Sequence, residues 1–419
     1  MSVLELLREN LLKDSLILIS IYVGLGCLLQ KKGLEKTINA MIKAAIAIFM
    51  MNIGGNTIGL SLANLTYMFQ RSFGHIGIVA NNERLAAYAD MKFGNVIYTM
   101  MILGMVVNLG MAKWTKHKYI FLTGHQMLYM SCVLSILLKG FGMSYTAVIG
   151  IGGLVLGAMM TWFPAILQPY TKKITGRDNV AVGHFSTLGF WLSAQIGLAF
   201  RTEAKANQAP KKHTLLADNM LATTVSMMGI FMLASLLAGQ AYVEDITNSH
   251  YIVFAVKQGI YFATGVFIII TGVRMMTQEI MFAFKGIAEK VVPNAVPALD
   301  CSILFPYKQD VLVLGFVGSM IGGVLAMLVG GHYSIYIIIP SSTLCFFSGS
   351  AAGIYGYSTG GKWGAGVSAV VFGFCIGIMP LFFMDNMAKV GFYKIAMGEF
   401  DFSILSLVAK AIQSIGGLV

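Results

Sequence analysis

Three short stretches of this sequence hold residues able to do chemistry in surroundings apolar enough not to need them. In "FLTGHQMLYM" (121–130), His125 and Tyr129 stand four residues apart and so share one face of a helix. An imidazole and a phenol placed that way can bond hydroxyls and lay a ring against a sugar. The alternative is a packed histidine bonded to a carbonyl. In "RDNVAVGHFSTLGFW" a second Gly-His pair, Gly183-His184, precedes a moderately apolar stretch and reads as a ligand group or as a surface-loop histidine. In "PALDCSILFPY", Asp300 lies between Pro297 and Pro306, which force a non-helical course. A carboxylate at the centre of a membrane helix costs ~2.5–3.5 kcal/mol, so such a residue marks a site or pathway, unless it caps a helix near the interface. Glu83 in "ANNERLAAYAD" is either a further acid of this kind or a solvated loop residue.

Other chemistries are not supported. His117 and His213 sit beside lysines, and His75, His250 and His332 at the ends of apolar runs, as interfacial residues do. No two histidines have metal-site spacing, and neither a nucleophile elbow nor a phosphate-cradling loop occurs. The sequence therefore predicts no catalytic residue, metal or cofactor. Cys27, Cys132, Cys345 and Cys375 read as small core residues, leaving Cys301, next to Asp300, as the one of chemical interest.

The elements that must position these residues are membrane helices. Of 419 residues 57% are hydrophobic and 11% charged, with mean hydropathy +0.76, whereas soluble domains carry about 25% charged residues. The net charge of +11 is explained by basic cytoplasmic loops rather than by nucleic-acid binding. The opening "MSVLELLREN" has no basic region before an apolar core, so the first apolar run is expected to be a retained span.

Apolar runs long enough to cross a bilayer are expected at 14–30, 39–64, 93–112, 119–138, 144–168, 219–239, 251–275, 309–331, 333–349 and 364–384. The polar stretch 201–213 parts them five and five, and an odd number of spans inverts the second half relative to the first. The order repeats. Each half has two plain spans, then a weakly apolar connector carrying an acid (66–92 with Glu83, 276–308 with Asp300), then a glycine-dotted span. An interrupted span follows, broken at "TGH" in one half and "PSST" in the other. The expected fold is thus an all-α integral membrane protein of about ten transmembrane helices in two inverted five-helix repeats with broken helices. Its expected parts are 1–200, a linker 201–214, a second repeat 215–385, and a C-terminal amphipathic helix or short span at 386–419. Lysines at 31, 32, 36, 113, 116 and 118 and the basic 170–213 region fall on one side, which is taken as cytoplasmic.

"FLTGH", "VGH", "GVRMMTQEIMFAFKGIAEKVVPNAVPALDC" and "FFSGSAAGIYGYSTGGKWGA" together resemble the IIC permease of the ascorbate-type bacterial phosphotransferase system, in order from the first span to about residue 385. The resemblance implies a homodimeric inner-membrane carrier with core and scaffold parts, in contact with lipid and working by an elevator-like movement. Its substrate, a small carbohydrate, would be phosphorylated on the cytoplasmic side by IIA and IIB partners. The chain would not itself be an enzyme, and Cys301 would be left a packing role. By matching position it implies a substrate site of Asn82, Glu83, His125, Gln126, Tyr129, His184, Phe185 and Asp300. Glycines such as Gly315, Gly318, Gly322 and Gly323 would allow close helix approach. The other reading is a proton-coupled secondary transporter on the same fold, using His125, His184 or Asp300.

This chain departs from the ascorbate carriers it resembles. Asn82-Glu83 stands where they have Thr-Tyr, Tyr129 where they have Gln, and Phe185 where they have Gln after the second histidine. A carboxylate and two aromatics suit a neutral sugar or polyol better than an anionic lactone, with Glu83 and Asp300 accepting hydroxyl bonds and Tyr129 and Phe185 lining an apolar face. The end, "FDFSILSLVAKAIQSIGGLV", replaces a full eleventh span by an interfacial helix or a minimal span.

Overall fold

A computed structural model describes residues 15–73, 78–80, 82–201, 219–290, 292–333, 338–393 and 395–416. Helices α1 (Ser15–Leu29) and α2 (Leu34–Phe73) precede strand β1 (Ile78–Val79), α3 (Asn82–Trp114), strand β2 (Tyr119–Phe121), α4 (Gly124–Gly140) and α5 (Tyr145–Thr175). Strand β3 (Ala181–Val182) and α6 (Thr187–Leu198) follow, then α7 (Asn219–Ala238), α8 (Gln240–Thr247) and α9 (Tyr251–Lys290). Strand β4 (Val296–Leu299) leads through a 3-10 turn, Cys301–Tyr307, into α10 (Gln309–Tyr333). Strand β5 (Ile338–Ile339), the short α11 (Ser342–Leu344) and a π-helical turn, Cys345–Gly349, lead into α12 (Ser350–Ile378). A 3-10 turn, Met379–Phe383, then precedes α13 (Met384–Lys389) and α14 (Phe400–Gly416).

Among the described residues six helices are long and apolar enough to cross a membrane: Leu34–Leu65, Met91–Trp114, Tyr145–Thr175, Tyr251–Ile269, Gln309–Gly331 and Cys345–Phe383. A seventh arises if α7 and α8, bent by 108° at their junction, form one broken span. The described helix in the expected span 14–30, the 15-residue α1, is not among the six, and three further expected spans are redrawn. The run 119–138 begins as a strand and continues as a 17-residue helix, about 25 Å long at 1.5 Å per residue and short of the ~30 Å hydrocarbon layer. The run 333–349 holds the end of α10, a strand and the turns that enter α12. The last run starts at Ser350 rather than 364, and α12 is broken at Gly361, whose φ of 63° only glycine adopts freely. The basic region 170–213, expected to be linker, includes β3 and the half-buried helix α6, where Phe190 stacks between Tyr355 and Phe372 of α12. Residues 202–214, the rest of that linker, lie outside the described part.

The long helices α2 and α9 lie along each other. They touch backbone to backbone at Gly54 and Gly265, where a Cβ on either would meet the other's carbonyl oxygen, at 2.6 and 2.8 Å. Helix α10 meets α12 in the same way, with Gly322 against the backbone of Val370 and Phe374.

Two small parallel sheets interrupt this helical body. One pairs Ile78 with Ile338 and Val79 with Ile339. The other has the order β2-β4-β3, with Tyr119–Phe121 beside Val296–Ala298 and Ala181–Val182 beside Ala298–Leu299. Alternate residues leave its two faces: Ile120, Leu122 and Val182 enter one hydrophobic cluster and Phe121 the other. Pro297 is tolerated in the central strand because Val296 N–H already bonds Lys118 O on the β2 side. Its missing N–H therefore faces the β3 side, where pairing starts only at Ala298.

Open sheet edges in apolar surroundings need partners. Asn108 of α3, fully buried, covers the β2 edge: its Nδ2 donates to Tyr119 O (3.0 Å) and Thr161 Oγ1 (2.8 Å), and its Oδ1 accepts from Phe121 N (3.1 Å). Gln168 of α5 serves beside β3, donating to Val180 O (3.2 Å) and Asp178 O (3.3 Å). Replacing Asn108 by Ala strands a buried N–H and carbonyl, so the expected outcome is a stability loss of about 2–4 kcal/mol. Detergent-solubilised Asn108→Ala protein should show it as a lower melting temperature, and Asn108→Asp should not restore the two donated bonds.

Candidate functional site

Because β2, β3 and β4 are parallel, their carboxyl ends emerge together, the place where open parallel sheets bind ligands. Asp300 follows β4 directly, His184 comes two residues after β3, and His125 opens α4 just beyond β2. Gly183 allows the sheet to close up here, since a Cβ would lie 2.9 Å from Ala298 O. Asp300 Oδ1 stands 3.7 Å from both His125 Nε2 and His184 Nε2, and as a buried atom meets no hydrogen-bond donor. His184 is buried, whereas the His125 side chain is 45% exposed. The site is therefore closed at the His184 end and open at His125.

The tautomer of His184 follows from its neighbours. Ser186 N–H, a backbone donor, bonds His184 Nδ1 at 3.1 Å, so the lone pair of the neutral ring is spent there and the proton sits on Nε2. Gln126 is oriented in the same way: its Oε1 accepts from Phe185 N (3.1 Å), which turns its NH2 toward His184 Nε2 at 3.1 Å. Two N–H groups thus stand 3.1 Å apart, with Asp300 Oδ1, an unpartnered acceptor, 3.7 Å from His184 Nε2. The group that accepts from such donors and donates to such an acceptor is a hydroxyl.

A carboxylate outside the sequence expectation completes the closed end. Glu399, 4% exposed, precedes α14. Its Oε2 accepts from Ser186 Oγ (2.6 Å) and Ser348 Oγ (2.9 Å), and its Oε1 accepts from Asn82 Nδ2 (3.2 Å) and lies 3.9 Å from His184 Nε2. The donors are held in that sense by the flanking backbone. Gly398 N–H bonds Asn82 Oδ1 at 2.9 Å and so points the amide NH2 at Glu399; Phe400 N–H bonds Ser186 Oγ at 3.0 Å and so directs its hydroxyl hydrogen there. Two residues on, buried Asp401 caps α6, accepting from Thr187 N (2.7 Å) and Leu188 N (3.0 Å), while its own N–H bonds Phe185 O (3.1 Å). The described ion-pair partners of Asp300 and Glu399 are imidazoles only.

The sequence-predicted residues divide accordingly. His125, Gln126, His184 and Asp300 come together, with the Tyr129 ring 5.8 Å from that of His125. Asn82 joins through Glu399 rather than directly. Phe185 takes part by its backbone, because its fully buried ring packs on Phe121 (5.2 Å) and Phe163 (6.0 Å) in the core, away from the role of lining an open face. The Glu83 side chain lies outside the described part. Cys301 is buried with its thiol toward Phe347 O, 3.8 Å away. His184, Asp300 and Cys301 offer ligand atoms within 4.8 Å of one another, a grouping no sequence spacing reveals. A cation there would need the lone pair of His184 on Nε2, whereas Nδ1 spends it on Ser186 N–H. Glu399 and Asp401 have a visible signal, two acids in the apolar run "MGEFDFSIL", but lie in the segment expected to be a C-terminal amphipathic helix or short span.

Helices long and apolar enough to cross a membrane thus surround a buried polar cluster. Residues 10–401 match the model of the family described as "PTS system sugar-specific permease component", and the chain belongs to that family, whose members are multi-pass proteins of the bacterial inner membrane. It is similar to the "Ascorbate-specific PTS system EIIC component" of Mycoplasma pneumoniae (strain ATCC 29342 / M129 / Subtype 1), at 24% identity over 414 residues, covering 84% of this chain and 62% of that protein. The chain thus spans about three fifths of that relative's length.

The described hydrogen bonds of the Asp401 side chain are to the backbone amides of Thr187 and Leu188, not to the histidines or Asp300. Asp401→Ala is expected to cost up to about 2 kcal/mol through the lost cap, read as a lower melting temperature with the ligand preference of the surviving folded protein unchanged.

Proposed function

We propose that this chain is the membrane-translocating IIC subunit of a phosphoenolpyruvate-dependent phosphotransferase system. It takes up a small carbohydrate, ascorbate or a related pentose or polyol, and presents it for phosphorylation by a IIB partner charged by IIA. The observation that carries the reading is the point where His184 Nε2–H, the Gln126 amide and Asp300 Oδ1 converge without satisfying one another. A sugar hydroxyl there would accept one bond and donate another, while His125 and Tyr129 at the open end would meet the rest of the ligand. The ascorbate specificity of the relative supports the substrate class. Phosphoryl chemistry belongs to the partners, so the roles of this chain are recognition and movement.

Two inverted five-span halves, divided near 201–214, are part of the same proposal. The strand pairing supports them: β1 of the first connector pairs with β5 of the second interrupted span, and β2 of the first interrupted span pairs with β4 of the second connector. A pseudo-twofold axis would relate these two pairings. A homodimer in which a core carrying the site moves against a scaffold completes the proposal.

Inside-out or whole-cell uptake with the cognate IIA and IIB should deliver phosphorylated product only when phosphoenolpyruvate is supplied. Accumulation of unmodified sugar driven by a proton gradient would instead support secondary transport. His125→Ala, at the exposed end of the site, is expected to weaken carbohydrate binding by at least about tenfold, equivalent to 1.4 kcal/mol, with little change in melting temperature. An unchanged affinity would remove His125 from the site.

A further inference from the structure

Resting on that reading, we infer that Glu399 sets the charge of the carbohydrate site and makes it select an uncharged ligand over an anionic one. Glu399 receives three oriented donors, Ser186 Oγ–H, Ser348 Oγ–H and Asn82 Nδ2–H, the number and direction that suit a carboxylate accepting on both oxygens. Gly398 N–H and Phe400 N–H fix two of these donors, so the carboxylate form is built into the backbone on either side of it.

Its charge is not cancelled. His125, 45% exposed, stands 3.7 Å from Asp300 as an ion-pair partner on the open side. His184, the imidazole that faces Glu399, has its Nδ1 accepting from Ser186 N–H, and an imidazolium there would break that bond. Neutral donors spread the charge of Glu399 without removing it. A ligand seated against His184 Nε2 therefore lies beside Asp300, which His125 faces from the open side, and beside Glu399, whose hydrogen-bond donors are all neutral. In buried surroundings like charges a few ångströms apart repel far more than in water. An alditol bears only hydroxyls; an aldonate of the same carbon chain adds one carboxylate, and ascorbate is likewise an anion. Glu399 does not touch the ligand in this account: its four neighbours occupy both oxygens.

The test is equilibrium binding to the full-length protein in nanodiscs, with alditols and aldonates of five and six carbons and with ascorbate as probes. Wild type should bind its best alditol at least about tenfold more tightly than the matching aldonate or ascorbate. Glu399→Gln, which keeps length and shape, should narrow that ratio at least about fivefold through a gain in anion affinity. Asp401→Asn, a buried carboxylate of the same segment that faces only the α6 backbone, should lower the melting temperature and leave the ratio where it was. Equal binding of aldonate and alditol by wild type, or tight ascorbate binding, overturns the inference, and this arm decides alone if Glu399→Gln does not fold. A ratio unmoved by Glu399→Gln in folded protein, or moved equally by Asp401→Asn, overturns it too. Binding of none of these carbohydrates by wild type overturns the transport reading as well, which separates that failure from failure of the charge argument.

Discussion

A chain that leaves the helix at membrane depth must still find a partner for each backbone N–H and carbonyl, because neither lipid tails nor packed side chains will supply one. The arrangement around the site follows from this requirement. The interrupted segments satisfy one another as short parallel strands, and side-chain amides from neighbouring helices, Asn108 and Gln168, take the edges the strands leave open. Parallel pairing has a geometric consequence: the residues after each strand, His125, His184 and Asp300, emerge on the same side. The sheet is thus the device that gathers polar groups from distant parts of the chain, and the helices packed on its two faces hold it.

Once gathered, these groups are limited by what each can donate or accept. The backbone N–H of Ser186 decides the tautomer of His184, and the backbone N–H of Phe185 decides the orientation of Gln126. Neither side chain can then satisfy the other, which leaves donors and an acceptor for a ligand. Preorganisation of this kind rests on fixed main-chain donors, and so on the turn after β3 keeping its course. The segment before α14 meets that turn, the Glu399 carboxylate and Phe400 N–H both bonding the Ser186 hydroxyl, while Asp401 caps α6 beyond it.

The C-terminal segment accordingly forms a wall of the site. Glu399 links Asn82 at the start of α3, Ser186 before α6 and Ser348 in the π-helical turn, and Ala80 pairs with Ala396 beside it. The family match runs to residue 401, the last acid of this network. A wider π turn at Cys345–Gly349, rather than a regular helix, carries Ser348, in keeping with the frequent placement of such turns at functional positions.

The sequence by itself determined the solvent: so few charges over 419 residues leave only a membrane protein. It also marked the breaks, because Gly124, Gly183, Pro297 and Pro306 interrupt apolar runs, and polar residues placed at such breaks, His125, His184 and Asp300, stood out against their surroundings. Span boundaries were legible where hydropathy alone governs, as in α9 and α10, and were misdrawn where strand pairing replaced helix, as before α4 and α12. Tertiary structure alone decided which marked residues meet. Phe185 looked like a ligand-facing ring, but the turn after β3 sends its side chain into the core and leaves only its N–H to the site. Glu399 carried no expectation of its own, yet it reaches partners 317, 213 and 51 residues away in sequence. Periodicity reports the neighbours a residue has along its own helix, whereas a buried charge is held by whatever donors the fold brings to it from elsewhere.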